Sequence, residues 1–147
     1  MIEGAGVFLL FAAIVVGVLL ILVVAFFALS RLFARGSGWG QLAALYPASR
    51  TPEGLVYAHQ HSRVGSVRYR NCSTIGVSAA GLYLAVTAPF ISSHPPLLIP
   101  WSAMTGIQQT RLYWLSAVQL SIGEPQITTI TVLKHIFEPM RPYLSRR

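Results

Sequence analysis

The 147 residues carry eleven Lys and Arg against four Glu and no Asp, a net charge of +7, yet only 10% are charged and 54% are hydrophobic. That composition excludes a disordered polar tail, and a single cysteine, Cys72, excludes an internal disulfide framework. With Glu3, Glu53, Glu124 and Glu138 spread singly along the chain, paired-carboxylate acid–base chemistry lacks its parts.

The chain begins with a 27-residue run, Gly4 to Ser30, that holds no charge. A helix crossing about 30 Å of hydrocarbon needs about 20 apolar residues, so the run predicts a membrane span with room to tilt. Phe8, Leu19, Phe26 and Phe27 are expected to face lipid, with Arg31, Phe33 and Arg35 at the interface. A cleaved secretory signal is the competing reading, with a cleavage-like stretch at Ala25 to Ser30. It requires a positive start, and Met1-Ile2-Glu3 is negative. Arg31 and Arg35 follow the span directly, and an excess of Arg marks the cytoplasmic side. The expected arrangement is therefore a single pass through a bacterial inner membrane, with the bulk of the chain cytoplasmic. Ala13 and Gly17 form one small-xxx-small pair that suits close approach of another helix.

Residues 1–35 are thus read as the span and its flanks, 36–54 as a linker and 55–147 as one small domain. From Arg31 onward there are eleven basic and three acidic residues, a net +8. Anionic lipid attracts such a surface by about 1 kcal/mol per nearby Lys or Arg. The cations are scattered and no nucleic-acid motif is present, so nucleic acid is not an expected partner. In the linker, Gly36-Ser37-Gly38 is expected to break the first helix. Trp39 to Pro47 then reads as a short amphipathic helix, with Trp39, Leu42 or Ala43, and Tyr46 at helical spacing and Pro47 ending it, its aromatic side directed to the core in preference to the bilayer interface.

From Pro52 to Gly123 the pattern is one of short strands and turns. Leu55–His59 is the first strand. Val67 and Tyr69 alternate with Arg68 and Arg70, which predicts two arginines on one face of a second strand. Cys72–Ser78 and Leu82–Val86 follow, joined tightly at Gly81. In His94-Pro95-Pro96-Leu97-Leu98-Ile99-Pro100-Trp101, Leu97 to Ile99 reads as a short edge strand that bends at Pro100, because proline cannot donate to a ladder, and Trp101 turns inward. Ile107–Leu115 runs into a hairpin, Val118–Ile122 alternates again, and Ile127–Ile130 closes the sheet. Val132, Leu133, Ile136, Phe137 and Met140 recur at helical spacing, predicting a C-terminal helix over 131–144 bent at Pro139.

The predicted class is α+β. A meander of about seven antiparallel strands closed by a C-terminal helix resembles the pleckstrin-homology (PH)-like fold. Gly81-Leu82-Tyr83-Leu84, Phe90, His94 to Trp101 and Ile107 together are similar to bacterial membrane-anchored proteins of unknown function and to the strand rhythm of GRAM and bacterial PH-like domains. The similarity covers residues 55–144. It implies a scaffold that binds lipid headgroups or protein, in which Gly81, Pro95, Pro96, Pro100 and Trp101 are structural. Phosphoinositide-binding PH domains concentrate basic residues between their first two strands; here that region offers His61, Arg63, Arg68 and Arg70.

Arg63, Arg68 and Arg70 are the candidate binding face. His59 and His61 place two imidazoles on one side of an extended segment, but no third metal ligand accompanies them. No phosphate-cradling glycine loop and no cofactor motif is evident, so a binding protein is expected in place of an enzyme. Two roles follow: an accessory subunit that docks on a larger membrane protein complex, or a peripheral reader of anionic headgroups. Clustered arginines favour the second and an exposed apolar patch the first.

Overall fold

The computed structural model describes residues 2–49, 53–87 and 93–145. The chain divides into two compact units, residues 1–32 and 33–147. Helix α1, Ile2–Ser37, supplies all of the first, and it is long and apolar enough to cross a membrane. Phe8 (69% exposed), Leu19 (55%) and Phe27 (43%) are exposed. An all-round apolar helix of this kind is stable only where an apolar medium or a partner covers it. Phe26 meets Phe27 edge-on at 5.7 Å. Space beside Gly17 is open, and Ala13 is exposed. Arg31 and Arg35 are exposed; the Phe33 side chain and Phe90 lie outside the described residues.

In the second unit the last turn of α1 is followed by α2, Trp39–Leu45. Three breaking residues were expected here, and one suffices. Gly36 and Ser37 remain helical, and Gly38 alone turns the chain at φ +82°, a conformation that costs glycine little. The helix persists because Ser37 is held: its carbonyl accepts the Thr128 hydroxyl at 2.7 Å and its own hydroxyl accepts the Trp39 amide at 3.2 Å. Trp39 and Leu42 are fully buried, so α2 faces the core, as its pattern predicts. Removing a tryptophan-sized surface of roughly 150–250 Å² from water is worth about 4–6 kcal/mol.

Seven strands form one curled antiparallel sheet: β1 Leu55–Val64, β2 Val67–Ser78, β3 Gly81–Val86, β4 Leu97–Ile99, β5 Met104–Leu112, β6 Leu115–Ile122 and β7 Thr128–Leu133. Their order is β4-β3-β2-β1-β7-β6-β5. The first strand runs five residues beyond the expected Leu55–His59 span, and the two segments expected on either side of Asn71 are one strand. Bulges reconcile the pattern with this length. The β1–β2 register shifts between Tyr57 and Gln60 and again between Gln60 and Ser62, with His59 and Asn71 at φ +53° and +58°. Both strands therefore bend and wrap the core.

β4 is the short edge strand expected, three residues long between Pro96 and Pro100. Its prolines also give carbonyls to α2 and the segment after it, Pro95 to the Trp39 indole at 2.8 Å and Pro96 to the Ala48 amide at 3.0 Å. Trp101 turns inward: its indole donates to Ser78 at 2.8 Å, and its ring stacks on Tyr143 at 5.4 Å. The C-terminal helix is shorter than expected. Thr131–Leu133 pairs with β6 because β-branched Thr131 and Val132 complete the ladder, leaving α3 at Lys134–Phe137, a 3₁₀ turn at Glu138–Met140 and α4 at Arg141–Leu144. Pro139 and Pro142 remove two amide donors and break the helix into these pieces. Ile136, Phe137, Met140 and Leu144 close the core.

Gly81 sits at φ +151°, and a Cβ there would collide with the Ile99 carbonyl oxygen in β4. Because backbone and not a flexible side chain is in the way, Gly81→Ala is expected to destabilise the domain by about 2–3 kcal/mol. A clear drop in Tm of the full-length protein in detergent checks this; an unchanged Tm would contradict the β3–β4 packing.

Candidate functional site

β2 delivers the two arginines as its alternation dictates: Tyr69 is buried while Arg68 and Arg70 are exposed on the other side. Both guanidinium groups lie over one ring, that of Tyr113, at 5.5 and 5.3 Å from its centroid. The His61 ring meets the same tyrosine edge-on at 5.2 Å. Arg63, paired directly with Arg68 across the ladder, turns away: its Nε donates to the Gly65 carbonyl at 3.1 Å. The structure thus brings Arg68 and Arg70 together and assigns Arg63 to its own turn, which relieves two like charges placed opposite each other.

Tyr113 is at the tip of the β5–β6 hairpin. Leu112 and Leu115 pair, the Trp114 amide donates back to the Leu112 carbonyl at 3.2 Å, and Tyr113 between them has φ +56°. That three-residue closure is strained for a residue with a side chain, costing about 1–3 kcal/mol. Two exposed cation–π contacts return about 1–2 kcal/mol, so the tip does no more than break even. What it achieves is display. Trp114 is 90% exposed and Leu115 51%. Among the described residues, the three non-glycine positions with positive φ are His59, Asn71 and Tyr113. The Asn71 amide donates to His61 Nδ1 at 3.1 Å, so the bulge is tied to the ring that contacts Tyr113.

The same bulge corrects the imidazole pairing expected from alternation. His59 falls at the register shift, and His61 Nδ1 already accepts a backbone hydrogen bond. Among the described residues no three His, Cys, Asp or Glu side chains gather as a metal would require. Cys72 is half-buried, and burial pushes its thiol up, away from the reactive thiolate.

Beside the tip, a cavity of about 990 Å³ opens over one face of β5 and β6. Ile107, Gln109 and Arg111 alternate along β5 and face it with Ser116 and Val118, their neighbours on β6. Phe137 and Leu144 supply apolar wall from the C-terminal segment, and Lys134 and Arg141 its basic rim. Arg141 lies over the Phe137 ring at 5.3 Å and pairs with Glu138 at 2.8 Å, both partners exposed. None of Tyr113, Trp114, Arg111, Lys134 or Arg141 stood out in the sequence. The available signal was two aromatics at a hairpin apex, where turn-forming Asn-Gly is usual.

Comparison with protein-family models, curated proteins and solved structures yields no significant match.

Behind the patch lies a buried polar cluster. The Tyr69 hydroxyl is 2.9 Å from His94 Nε2 and donates to the Ser37 hydroxyl at 3.2 Å. Desolvation pushes the phenol up to about 12 from its ordinary 10, against the opposing effect of the Ser37 hydrogen bond. A folded-state value above the unfolded one means that this contribution to stability is whole below pH 10 and is lost as pH rises towards and through 12. Tyr69→Phe forfeits about 1 kcal/mol of hydrogen bonding and the titration with it. The Tm advantage of the native chain over the variant is expected to shrink between pH 10 and 12. A constant difference across that interval would contradict a buried neutral phenol.

Proposed function

We propose that this chain is a non-enzymatic docking module, an accessory subunit that α1 anchors in the inner membrane and whose β-domain, of PH-like fold, holds a membrane protein partner on the cytoplasmic side. The strand order, with a helical segment after β7, supports the fold assignment. The arginines that follow the apolar run support the orientation.

The observation that carries the reading is Trp114, 90% exposed on a turn whose neighbour Tyr113 is pinned by Arg68, Arg70 and His61. A turn whose backbone is fixed in advance loses little entropy on binding, and Trp, Tyr and Arg anchors dominate the energetics of protein interfaces. Leu115 extends the apolar surface. A second reading, recognition of anionic headgroups, is favoured by the convergence of Arg68 and Arg70. It ranks below the first because a fluid headgroup layer gains nothing from a strained, fixed turn.

Trp39 and Trp101 are buried, so quenching by an aqueous agent reports mainly on Trp114. The docking reading predicts that full-length protein purified in mild detergent retains a stoichiometric membrane protein, that Trp114→Ala loses it, and that acrylamide quenching is equal in neutral and anionic nanodiscs. Weaker quenching in anionic nanodiscs, with no protein retained, would support the headgroup reading and sink this one.

A further inference from the structure

The two edges of the sheet differ in how they are defended. An open edge presents unpaired amides and carbonyls, and proteins blunt it with short strands, proline or lysine. β4 is three residues long and flanked by Pro96 and Pro100, and a bridge from Pro47 to Leu97 covers it further. β5 is nine residues long, contains neither Pro nor Lys, runs in regular register from Gly106 to Leu112 after one shift at Met104–Gly106, and among the described residues pairs only with β6. The C-terminal helical segment packs on β6 and β7 and leaves β5 beside the open cavity.

Resting on the docking reading above, we infer that this edge and cavity take an acidic, extended segment of the partner protein, which adds a strand to β5 and lays alternate side chains into the groove. Main-chain hydrogen bonds supply the affinity in such an addition, and the flanking pockets supply the selectivity. The groove has an apolar floor at Ile107, Val118 and Phe137 and cations at Arg111 and Lys134, so the matching segment alternates acidic and aliphatic residues. Glu138 is the one acid of the C-terminal segment, and it is paired with Arg141. A second copy of this chain does not fit: its four glutamates stand singly, no two within ten residues, and it has no aspartate. The turn bearing Trp114 closes one end of the groove, since Arg111 pairs with Ser116 directly below Leu112 and Leu115. The anchor and the groove form one continuous surface.

The test uses full-length protein in nanodiscs of neutral lipid and the peptide acetyl-Glu-Val-Glu-Val-Glu-Val-Glu-amide. Saturable binding with slowed hydrogen exchange at the Met104–Leu112 amides is expected. Methylating alternate peptide nitrogens, or the double substitution Arg111→Glu with Lys134→Glu, should weaken binding at least about tenfold, equivalent to about 1.4 kcal/mol. Both substituted side chains are exposed, and an unchanged Tm confirms that the variant folds. Equal binding of the methylated peptide would reduce the site to a charged surface and overturn the proposal. So would protection of the same amides by phosphatidylglycerol vesicles but not by peptide, which assigns the groove to lipid. If Trp114→Ala releases the co-purifying protein and the double variant does not, docking stands and the groove proposal falls. If neither releases it, both fall.

Discussion

Much of the domain hangs on Ser37. Its carbonyl accepts the Thr128 hydroxyl, its hydroxyl accepts the Trp39 amide and the Tyr69 hydroxyl, and the next residue, Gly38, turns the chain with Thr128 close against it. One serine thereby ties the end of α1 to α2, to the start of β7 and to β2. Trp39, seated by this turn, meets Tyr69 and His94 at 5.6 and 5.1 Å and reaches the Pro95 carbonyl. Gly65, in the turn between β1 and β2, has no room for a side chain against the Ser37 carbonyl. A small polar residue with both of its groups satisfied is what allows a helix terminus to be buried here.

From that junction the sheet is built outward with uneven regularity. Its centre is ordinary, with Ile75, Leu84, Leu120 and Ile130 fully buried on β2, β3, β6 and β7. One register shift, between Met104 and Gly106, lies at the start of β5, while the β1–β2 bulges and the Tyr113 turn converge on His61. Strain in a small domain persists where surrounding contacts over-determine it, and here it places Trp114 in solvent beside two arginines. The account of function follows from this cost: the stability of the fold gains nothing from the exposed indole.

The architecture is legible in the sequence because its signals are local. An uncharged run, alternation in Val67–Arg70, prolines around Leu97–Ile99 and an inward Trp101 each report on their own surroundings. Where the sequence falls short, the deciding interaction is distant. Helical spacing in Val132 and Leu133 competes with pairing to Ala117 and Val118, and the ladder wins. Helix α1 outlasts Gly36 because Thr128, 91 residues away, holds Ser37. The candidate face was half legible. Arg68 and Arg70 follow from period two, but that both lie on Tyr113, and that Arg63 turns to Gly65, are facts of register and curl across the sheet. The cavity beneath α3 and α4 needed the helix to be cut short at Lys134.

Membrane-domain binding modules are distinguished most directly by what touches them in place. A photo-crosslinking amino acid at position 114 in intact membranes, compared with one at Leu45, an exposed residue on α2, addresses the surface itself. The account predicts one discrete protein adduct from position 114, absent from position 45. Adducts with lipid alone at 114, or the same protein adduct from both positions, would contradict it.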